Sequence, residues 1–463
     1  MKTRVLETHT STLFFVDDLV HKRKKPLDLG FSDFRELAAR RHACEEEVRL
    51  NRRLAPDVYL GVATVLGCSG EPAESLVVMR RLPEGRRLSV VVGTREGEAA
   101  LEPVAAQLAG LHARSPVTPD LVVHATTDAL SRLWTDGLEL LAQWPKAVPP
   151  HLVERLRQLA SDWLQAHGAL LEDRAARGRV VEGHGDVLAD DVFVLDDGVR
   201  VLDCLEFDQG LRVVDGLHDA CSLAADLLRL GHEREARVFL RSYRALADDD
   251  APVSLEHFYI AYRALVRAKV ACLRAGQGDS DALTEALLLA VITRDHLEAA
   301  SPRLVLVGGL PGSGKSTVAS GLAEALDAEL LSSDRTRRLV PAGGSYSRAD
   351  RSAVYDELAR RARDALRLGR HVVVDATFGQ ELWRRELRDL GNELHATLSE
   401  LECVVPGHVA DARLRERGSD GESDATPLVR AVLAEQRDSW PEARVLDCRD
   451  EPRATVAHAL ASL

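Results

Sequence analysis

The stretch that decides the fold is VEGHGDVLADDVFVLDDGVRVLDCLEF, residues 181–207. His184-Gly185-Asp186 opens it, and Asp191 follows five residues after Asp186. A short apolar strand, an Asp-Gly turn and a second strand come next, and the chain then runs into Asp203-Cys204-Leu205-Glu206. Two carboxylate clusters joined by a hairpin predict a site for a cation and a phosphate. Like charges this close coexist when a cation lies between them, so a metal is implied. A surface hairpin with solvated acids would use the same residue types, so the decision rests on what surrounds the stretch.

The chain has 463 residues, which favours two or three domains. A hydrophobic fraction of 45% and a charged fraction of 29% are those of a water-soluble globular chain. The net charge of −13 argues against broad binding to nucleic acid or anionic membrane. The seven cysteines, Cys44, Cys68, Cys204, Cys221, Cys272, Cys403 and Cys448, contain no CxxC pair and read as buried, reduced thiols. The start MKTRVLETHTSTLFFVDDLV lacks a signal-peptide core, and no apolar run nears the ~18 residues of a span. A cytoplasmic setting without membrane contact is expected. Oligomeric state is not set by the sequence.

Around the opening stretch, RVLETH, STLFFV and LVHKRKK predict strands, and 33–54 predicts a helix. VYLGVATVLG and ESLVVMRRL predict two more strands. The chain from 97 to 175 reads as mostly helical, and helices return from about 215 to 299. At Pro302 the pattern changes to strands alternating with helices: RLVLVGG, HVVVDATF and ELECVVP are the strands. The expected domains are therefore 1–299, with a small β-rich lobe over about 1–85 and a helical lobe over about 86–299, and 300–463 with a parallel sheet.

Residues 309–316, GLPGSGKS, match the full Walker A pattern between an apolar strand and an amphipathic helix. Gly309, Gly312, Ser313 and Gly314 let backbone N–H groups face phosphate oxygens. Lys315 reaches the β- and γ-phosphates, Ser316 offers a hydroxyl to Mg²⁺, and Thr317 is expected among the nucleotide-binding residues. Asp334 follows a second short apolar stretch, and Asp375 ends a strand. One of the two supports Mg²⁺ and the other accepts a proton from a substrate hydroxyl. DARLRERGSDGESDAT is arginine-rich and offers Arg413, Arg415 or Arg417 to a transferring phosphate. Through GGLPGSGKST, SSDRTRR, VVVDATF and RLRERG, this half resembles the small P-loop kinases grouped with polynucleotide 5′-kinases, zeta toxins and chloramphenicol phosphotransferases. That resemblance implies Asp334 as general base and Arg337 as an acceptor contact.

In kinase-like phosphotransferases one Asp takes the acceptor proton, a group five residues on binds Mg²⁺, and an Asp past a hairpin bridges the metal. Asp186, Asp191 and Asp203 stand at that spacing. Lys22, on an N-terminal strand, suits the lysine that holds ATP phosphates, and Glu46 or Glu47 on the next helix suits its partner. Lys24 shares the strand face of Lys22, and three consecutive glutamates leave the choice of partner open. No glycine-rich loop is present, so Thr and Ser hydroxyls in LETHTSTLFFVDD take the place beside the phosphates. HKRKKP could read as a basic patch, but it lies on this lobe. His184 reads as a support of the Asp186 loop, and among Asp215, Asp219 and Asp226 one is expected to buttress it.

ETHTS, KRKKPLDLGFSDF, RRHACEEEVRLNRRLAPDVYLGV, the opening stretch and YRALVRAKVACLRA resemble a family of two-domain bacterial proteins. Its members join an aminoglycoside-phosphotransferase-like half to a P-loop ATPase half. The resemblance implies a protein-kinase-like bilobal fold followed by a P-loop NTPase, with ATP or GTP and Mg²⁺ as cofactors. It departs at Val187, Leu188 and Asp191, where the family pattern HGD-L-H-x-x-N has Leu, His and Asn. The implied activity is transfer of γ-phosphate to a hydroxyl of a small molecule: a sugar, an aminocyclitol or an antibiotic. Alternatives are a polynucleotide 5′-hydroxyl kinase in the P-loop half, and a regulatory ATPase whose kinase-like half senses a ligand.

Overall fold

The computed structural model describes residues 3–8, 10–28, 33–340, 348–416 and 426–463. Two compact units are present: residues 1–157, 171–251 and 256–297 form one, and 158–170, 252–255 and 298–463 the other.

The first unit opens with β1 (Thr3–Glu7), β2 (Ser11–Val16), β3 (Leu19–Lys24), α1 (Leu37–Asn51), β4 (Tyr59–Leu66) and β5 (Pro72–Arg80). The five strands make an antiparallel sheet in the order β1-β2-β3-β5-β4. Asp17 turns the β2–β3 hairpin with φ +52°, a left-handed conformation that Asp tolerates. Phe15, Val20, Val77 and Met79 of the sheet pack on Cys44 and Val48 of α1. The helix is shorter than the expected 33–54, and Asn51 is buried in its last turn.

The chain continues through helices α2 (Leu88–Val91), α3 (Arg95–Ala113), α4 (Thr127–Ala142) and α5 (Pro150–Ala176) to β6 (Val180–Glu182). The hairpin of the opening stretch is β7 (Val192–Leu195) and β8 (Gly198–Val201). Next come β9 (Val213–Asp215), which pairs with β6, and helices α6 (Gly216–Arg229), α7 (Glu233–Leu246), α8 (Val253–Gly276) and α9 (Ala282–Ala299). Arg174 lies 2% exposed between two carboxylates. Its Nε and Nη2 donate to Asp215 at 2.7 Å each, and its Nη1 and Nη2 donate to Asp249 at 2.6 and 2.8 Å. Asp215 also caps α6 by accepting from the Leu217 amide at 2.9 Å.

The second unit carries β10 (Arg303–Gly308), α10 (Lys315–Leu326), β11 (Glu329–Ser332), α11 (Ser333–Arg337), α12 (Arg348–Arg367) and β12 (Val372–Asp375). It ends with α13 (Glu381–Glu393), β13 (Thr397–Val404), α14 (Gly407–Glu416), α15 (Pro427–Glu435), β14 (Arg444–Asp447) and α16 (Pro452–Leu460). Its five strands are all parallel, ordered β11-β12-β10-β13-β14. Helices cover both faces, so β10 is apolar on both. Leu304 and Leu306 pack with Tyr355, Trp383 and Trp440, and Val305 and Val307 pack with Val318 and Leu322. β11 and β14 stand beyond the three strands expected from the sequence.

Removing Arg174 leaves two buried carboxylates facing each other, a loss of about 3–5 kcal/mol. Arg174→Met is expected to lower the urea midpoint of the full chain sharply. A midpoint within error of the unmodified protein would contradict this.

Candidate functional site

Lys22 and Lys24 lie two residues apart on β3 and therefore reach the same side of the sheet. Both meet Glu47, which is completely buried: Lys22 Nζ is 2.9 Å from Oε1 and Lys24 Nζ 2.7 Å from Oε2. Lys22 also contacts Asp203 at 2.7 Å, and Lys24 contacts Glu206. Burial alone would raise Glu47, but the two ammonium groups hold its carboxyl below the usual range. Burial opposes the charge of Lys22, yet Asp203 and Glu47 lift it well above the ordinary lysine value. Glu46 is one residue out of phase. It is partly exposed and binds Arg49 at 2.7 Å, so of the two glutamates left open Glu47 is the one that meets Lys22.

Asp203 sits at φ +63°, held on both sides. Its amide donates to the Tyr59 hydroxyl at 3.2 Å, and the Cys204 amide donates to Asn51 Oδ1 at 2.9 Å. Asn51 lies one turn beyond Glu47 on α1, so a single helix face fixes both the lysines and the Asp203 segment. The Asp203 side chain remains 53% exposed, open to a ligand. Lys22, Asp191 and Asp203 line one cavity of about 370 Å³, together with Val20, Tyr59 and Met79. Thr8 and Thr10 line it too, where a glycine-rich loop is missing. His9, in the same turn, lies outside the described residues.

The loop 183–189 hangs from α6. Asp219 accepts from the His184 amide at 2.7 Å and the Gly185 amide at 2.8 Å, and Asp226 accepts from the Ala189 amide at 2.9 Å. A Cβ on Gly183 would come within 2.5 Å of Asp219 Oδ2, so only glycine lets the loop approach. His112 Nε2 is 2.9 Å from Asp219. Burial opposes ionisation of Asp219, but His112 and Arg263 hold it well below the carboxylate range. His184 is buried, and its Nε2 lies 2.9 Å from the Leu202 carbonyl; burial lowers its pKa, as suits a support. From α8, Arg263 donates to the Gly185 carbonyl at 2.6 Å, and Arg267 Nη1 lies 3.5 Å from Asp186. Asp186 itself lines a second cavity, of about 260 Å³.

The three carboxylates feel one another. Burial, then Asp203 and Asp186, push Asp191 well above the carboxylate range. Lys22 draws Asp203 down to about 2. Among the described residues no group of three or more His, Cys, Asp or Glu side chains is gathered to hold a metal. Asp191 and Asp203 are two, and Mg²⁺ beside a nucleotide takes one or two carboxylates and completes its shell with phosphates and water. The donor set therefore fits Mg²⁺ bound with a nucleotide.

In the second unit, Gly312 has φ +81°, and a Cβ there would lie 2.6 Å from the Ala410 carbonyl oxygen. α10 starts at Lys315, so its first amides open onto a cavity of about 280 Å³ lined by Gly312, Gly314, Lys315, Ser316, Thr317 and Arg413. Arg413 is fixed by donating to the Cys448 carbonyl at 2.8 Å. Ser313 is 3% exposed, and its Oγ has no hydrogen-bond partner among the described residues. Gly309 lies at the end of β10, under Ser313. These features fit a polyphosphate and its cation.

The remaining candidates are not in that cavity. Arg415 is exposed, because two residues along a helix turn it to the opposite side from Arg413, and its expected phosphate contact is corrected. Arg417 lies outside the described residues. Asp375 is 5% exposed and aligned across the sheet with Val307 and Ser332, at the carboxyl edge where the P-loop begins. Asp334 lies in the first turn of α11 beyond that same edge. Arg337 lines a separate, smaller cavity with Arg351, Tyr355 and Trp383. Sequence reasoning missed Asn51, Arg263, Arg267 and Arg351. Spacing by one helical turn, Glu47 to Asn51 and Arg263 to Arg267, was the signal available for the first three.

The second unit sets a Walker A loop between a strand of an all-parallel sheet and a helix, the arrangement of a P-loop nucleotide-binding domain, and the first joins a five-stranded antiparallel sheet and one helix to a helical part. The chain belongs to the family of Uncharacterized protein Rv2004c of Mycobacterium tuberculosis and Uncharacterized protein Mb2027c of Mycobacterium bovis. Each is 38% identical over 469 residues, spanning 98% of this chain and 94% of the relative. Residues 304–442 match the family model described as AAA domain. Among solved structures, a choline/ethanolamine kinase family protein from Mesorhizobium loti aligns at 16% identity, covering 65% of this chain and 88% of that one, with a TM-score of 0.42. A gluconokinase from Sinorhizobium meliloti aligns at 20% identity over 35% of this chain and 90% of that one, TM-score 0.28. Among the described residues no helix is long and apolar enough to cross a membrane.

A carboxyl whose pKa is raised in the fold costs stability as pH climbs above its ordinary value, and the cost levels off at the raised one. Without metal or nucleotide, Asp191→Asn is expected to raise the apparent Tm near neutral pH, on the order of 2 °C. The gain should shrink as pH falls into the ordinary carboxylate range, where Asp191 is protonated in the unfolded chain as well. A pH-independent difference, or a lower Tm at neutral pH, would contradict the assignment.

Proposed function

We propose that the protein is an ATP-dependent phosphotransferase that moves the γ-phosphate to a hydroxyl of a small molecule, with residues 1–299 and 300–463 each forming a nucleotide site. The observation that carries this reading is Lys22, ion-paired to both Glu47 and Asp203 at a cavity that also takes in Asp191. That arrangement orients an ammonium group towards nucleotide phosphates beside two carboxylates.

In the first half the acceptor lies in the cavity that Asp186 lines. Asp186 accepts its hydroxyl proton as the oxygen attacks the γ-phosphorus. The new O–P bond forms, the bond from the γ-phosphorus to the bridging oxygen breaks, and ADP leaves. Arg267 keeps Asp186 aimed, and Lys22 steadies the α- and β-phosphates. Asp191 and Asp203 would hold Mg²⁺ here, and Ser316 with Asp375 would hold it in the second half; the cation would supply neutralising charge at the transferring phosphate.

In the second half backbone amides from Gly309 to Thr317 cradle the phosphates. Lys315 reaches the β- and γ-phosphates, and Arg413 meets the charge that builds on transfer. Asp334 takes the acceptor proton there, and Arg337 contacts the acceptor. Six cysteines are buried free thiols, which suits a cytoplasmic setting.

The test is mass spectrometry of a bacterial metabolite extract incubated with ATP, Mg²⁺ and the full chain. A product heavier by one phosphate is expected, reduced about 10²–10⁴-fold in Asp186→Ala when the first half makes it. Loss only in Lys315→Ala assigns the transfer to the second half. ATP consumption with no phosphorylated metabolite and no labelled 5′-hydroxyl oligonucleotide would overturn the reading in favour of a regulatory ATPase.

A further inference from the structure

The cavity beside Asp186 has walls that state what they accept. Leu130, Leu133, Phe207, Leu211, Val266 and Val270 make it largely apolar. Its polar groups are unevenly signed. Asp186 and Asp215 are its carboxylates. Both oxygens of Asp215 are already taken by Arg174, at 2.7 Å each. Asp186 is therefore the one carboxylate left to face a ligand.

Four nitrogen-bearing side chains stand against it: His124, His218, Arg263 and Lys269. Lys269 lines the cavity and has no hydrogen bond or ion pair among the described residues. Burial draws its pKa below the ordinary lysine value, with Asp136 the charge that opposes this. His218 is 3% exposed, stacked on Tyr259 at 4.7 Å, and its Nε2 is buried with no hydrogen-bond partner among the described residues. Burial and then Arg263 keep that imidazole neutral. Arg263 spends Nη1 on the Gly185 carbonyl, while its Nη2 has only Asp219 at 3.9 Å.

Unpaired donors in an apolar cavity are costly until an acceptor meets them. A ligand carrying several ammonium groups would find one carboxylate, two fixed cations and apolar walls. A ligand with an apolar body and one carboxylate would cover the walls and pair the free ammonium group. We infer that the acceptor of the first half is a hydroxylated carboxylic acid with an apolar body, its carboxylate held by Lys269 and its hydroxyl at Asp186, and not a polycationic aminoglycoside. The inference rests on the kinase reading of this half for the fate of the hydroxyl, but not for the binding.

The experiment is equilibrium dialysis of the full chain with labelled para-hydroxymethylbenzoate, its amide para-hydroxymethylbenzamide, and kanamycin. The benzoate should bind best and kanamycin worst. Lys269→Met should weaken the benzoate roughly tenfold, leave the amide within about twofold, and so erase the preference between them. Lys269→Arg should keep part of the preference, and unchanged amide binding shows that each variant is folded. Kanamycin binding tighter than the benzoate, no benzoate binding at millimolar concentration, or a preference untouched in Lys269→Met would each overturn the inference. Phosphate transfer from ATP to the same probes separates the two claims. Binding as expected without transfer defeats the kinase reading alone. Transfer to kanamycin with no benzoate binding defeats the substrate class alone.

Discussion

One buried ion network sets the geometry of the first half: Glu47 between Lys22 and Lys24, with Asp203 and Glu206 closing the ends. It ties together β3, α1 and the segment that follows the β7–β8 hairpin, which are distant in sequence. A lone charge at the position of Glu47 would be expelled or neutralised by burial; in the network each charge is tolerable because its partner is present. The position of Asp203 therefore depends on the small lobe being folded, and the small lobe depends on Asp203. The cavity lined by Lys22, Asp191 and Asp203 lies where those dependences meet.

The second layer of support is α6 and α8. Asp219 and Asp226 hold the loop by its amides, and Arg263 holds it by a carbonyl, so the loop that presents Asp186 is fixed by backbone groups that any side-chain sequence would offer. Specific residue types are then demanded at few points. Gly183 must be small, because a Cβ there would meet the Asp219 carboxylate. This explains how Val187 and Leu188 can stand where the family pattern has Leu and His: Val187 is buried packing, and the loop's hydrogen bonds do not pass through either side chain.

The sequence disclosed what is local. The hairpin with its acids, the Walker A loop, and the alternation that made β2 and β3 are patterns within a few residues, where periodicity and turn chemistry act directly. The choice between Glu46 and Glu47 was not legible, because three adjacent glutamates give the same composition and only the helix phase against β3 selects one. Arg413 and Arg415 differ in the same way, by rotation about α14. β14 escaped because Leu446 is its one buried residue, so no apolar run marks it. The cavity beside Asp186 was out of reach altogether: Leu133, Asp186, His218 and Lys269 come from four segments that only the helical packing brings to one place.

The most direct test of the account is the number of nucleotides that the full chain binds, measured by equilibrium dialysis of labelled ATP with Mg²⁺. Two per chain are expected, one lost in Lys22→Met and the other in Lys315→Met, with none left when both are changed. A single nucleotide, abolished in Lys315→Met and indifferent to Lys22→Met, would contradict it, because the ion network around Glu47 would then be holding a fold together without holding a phosphate.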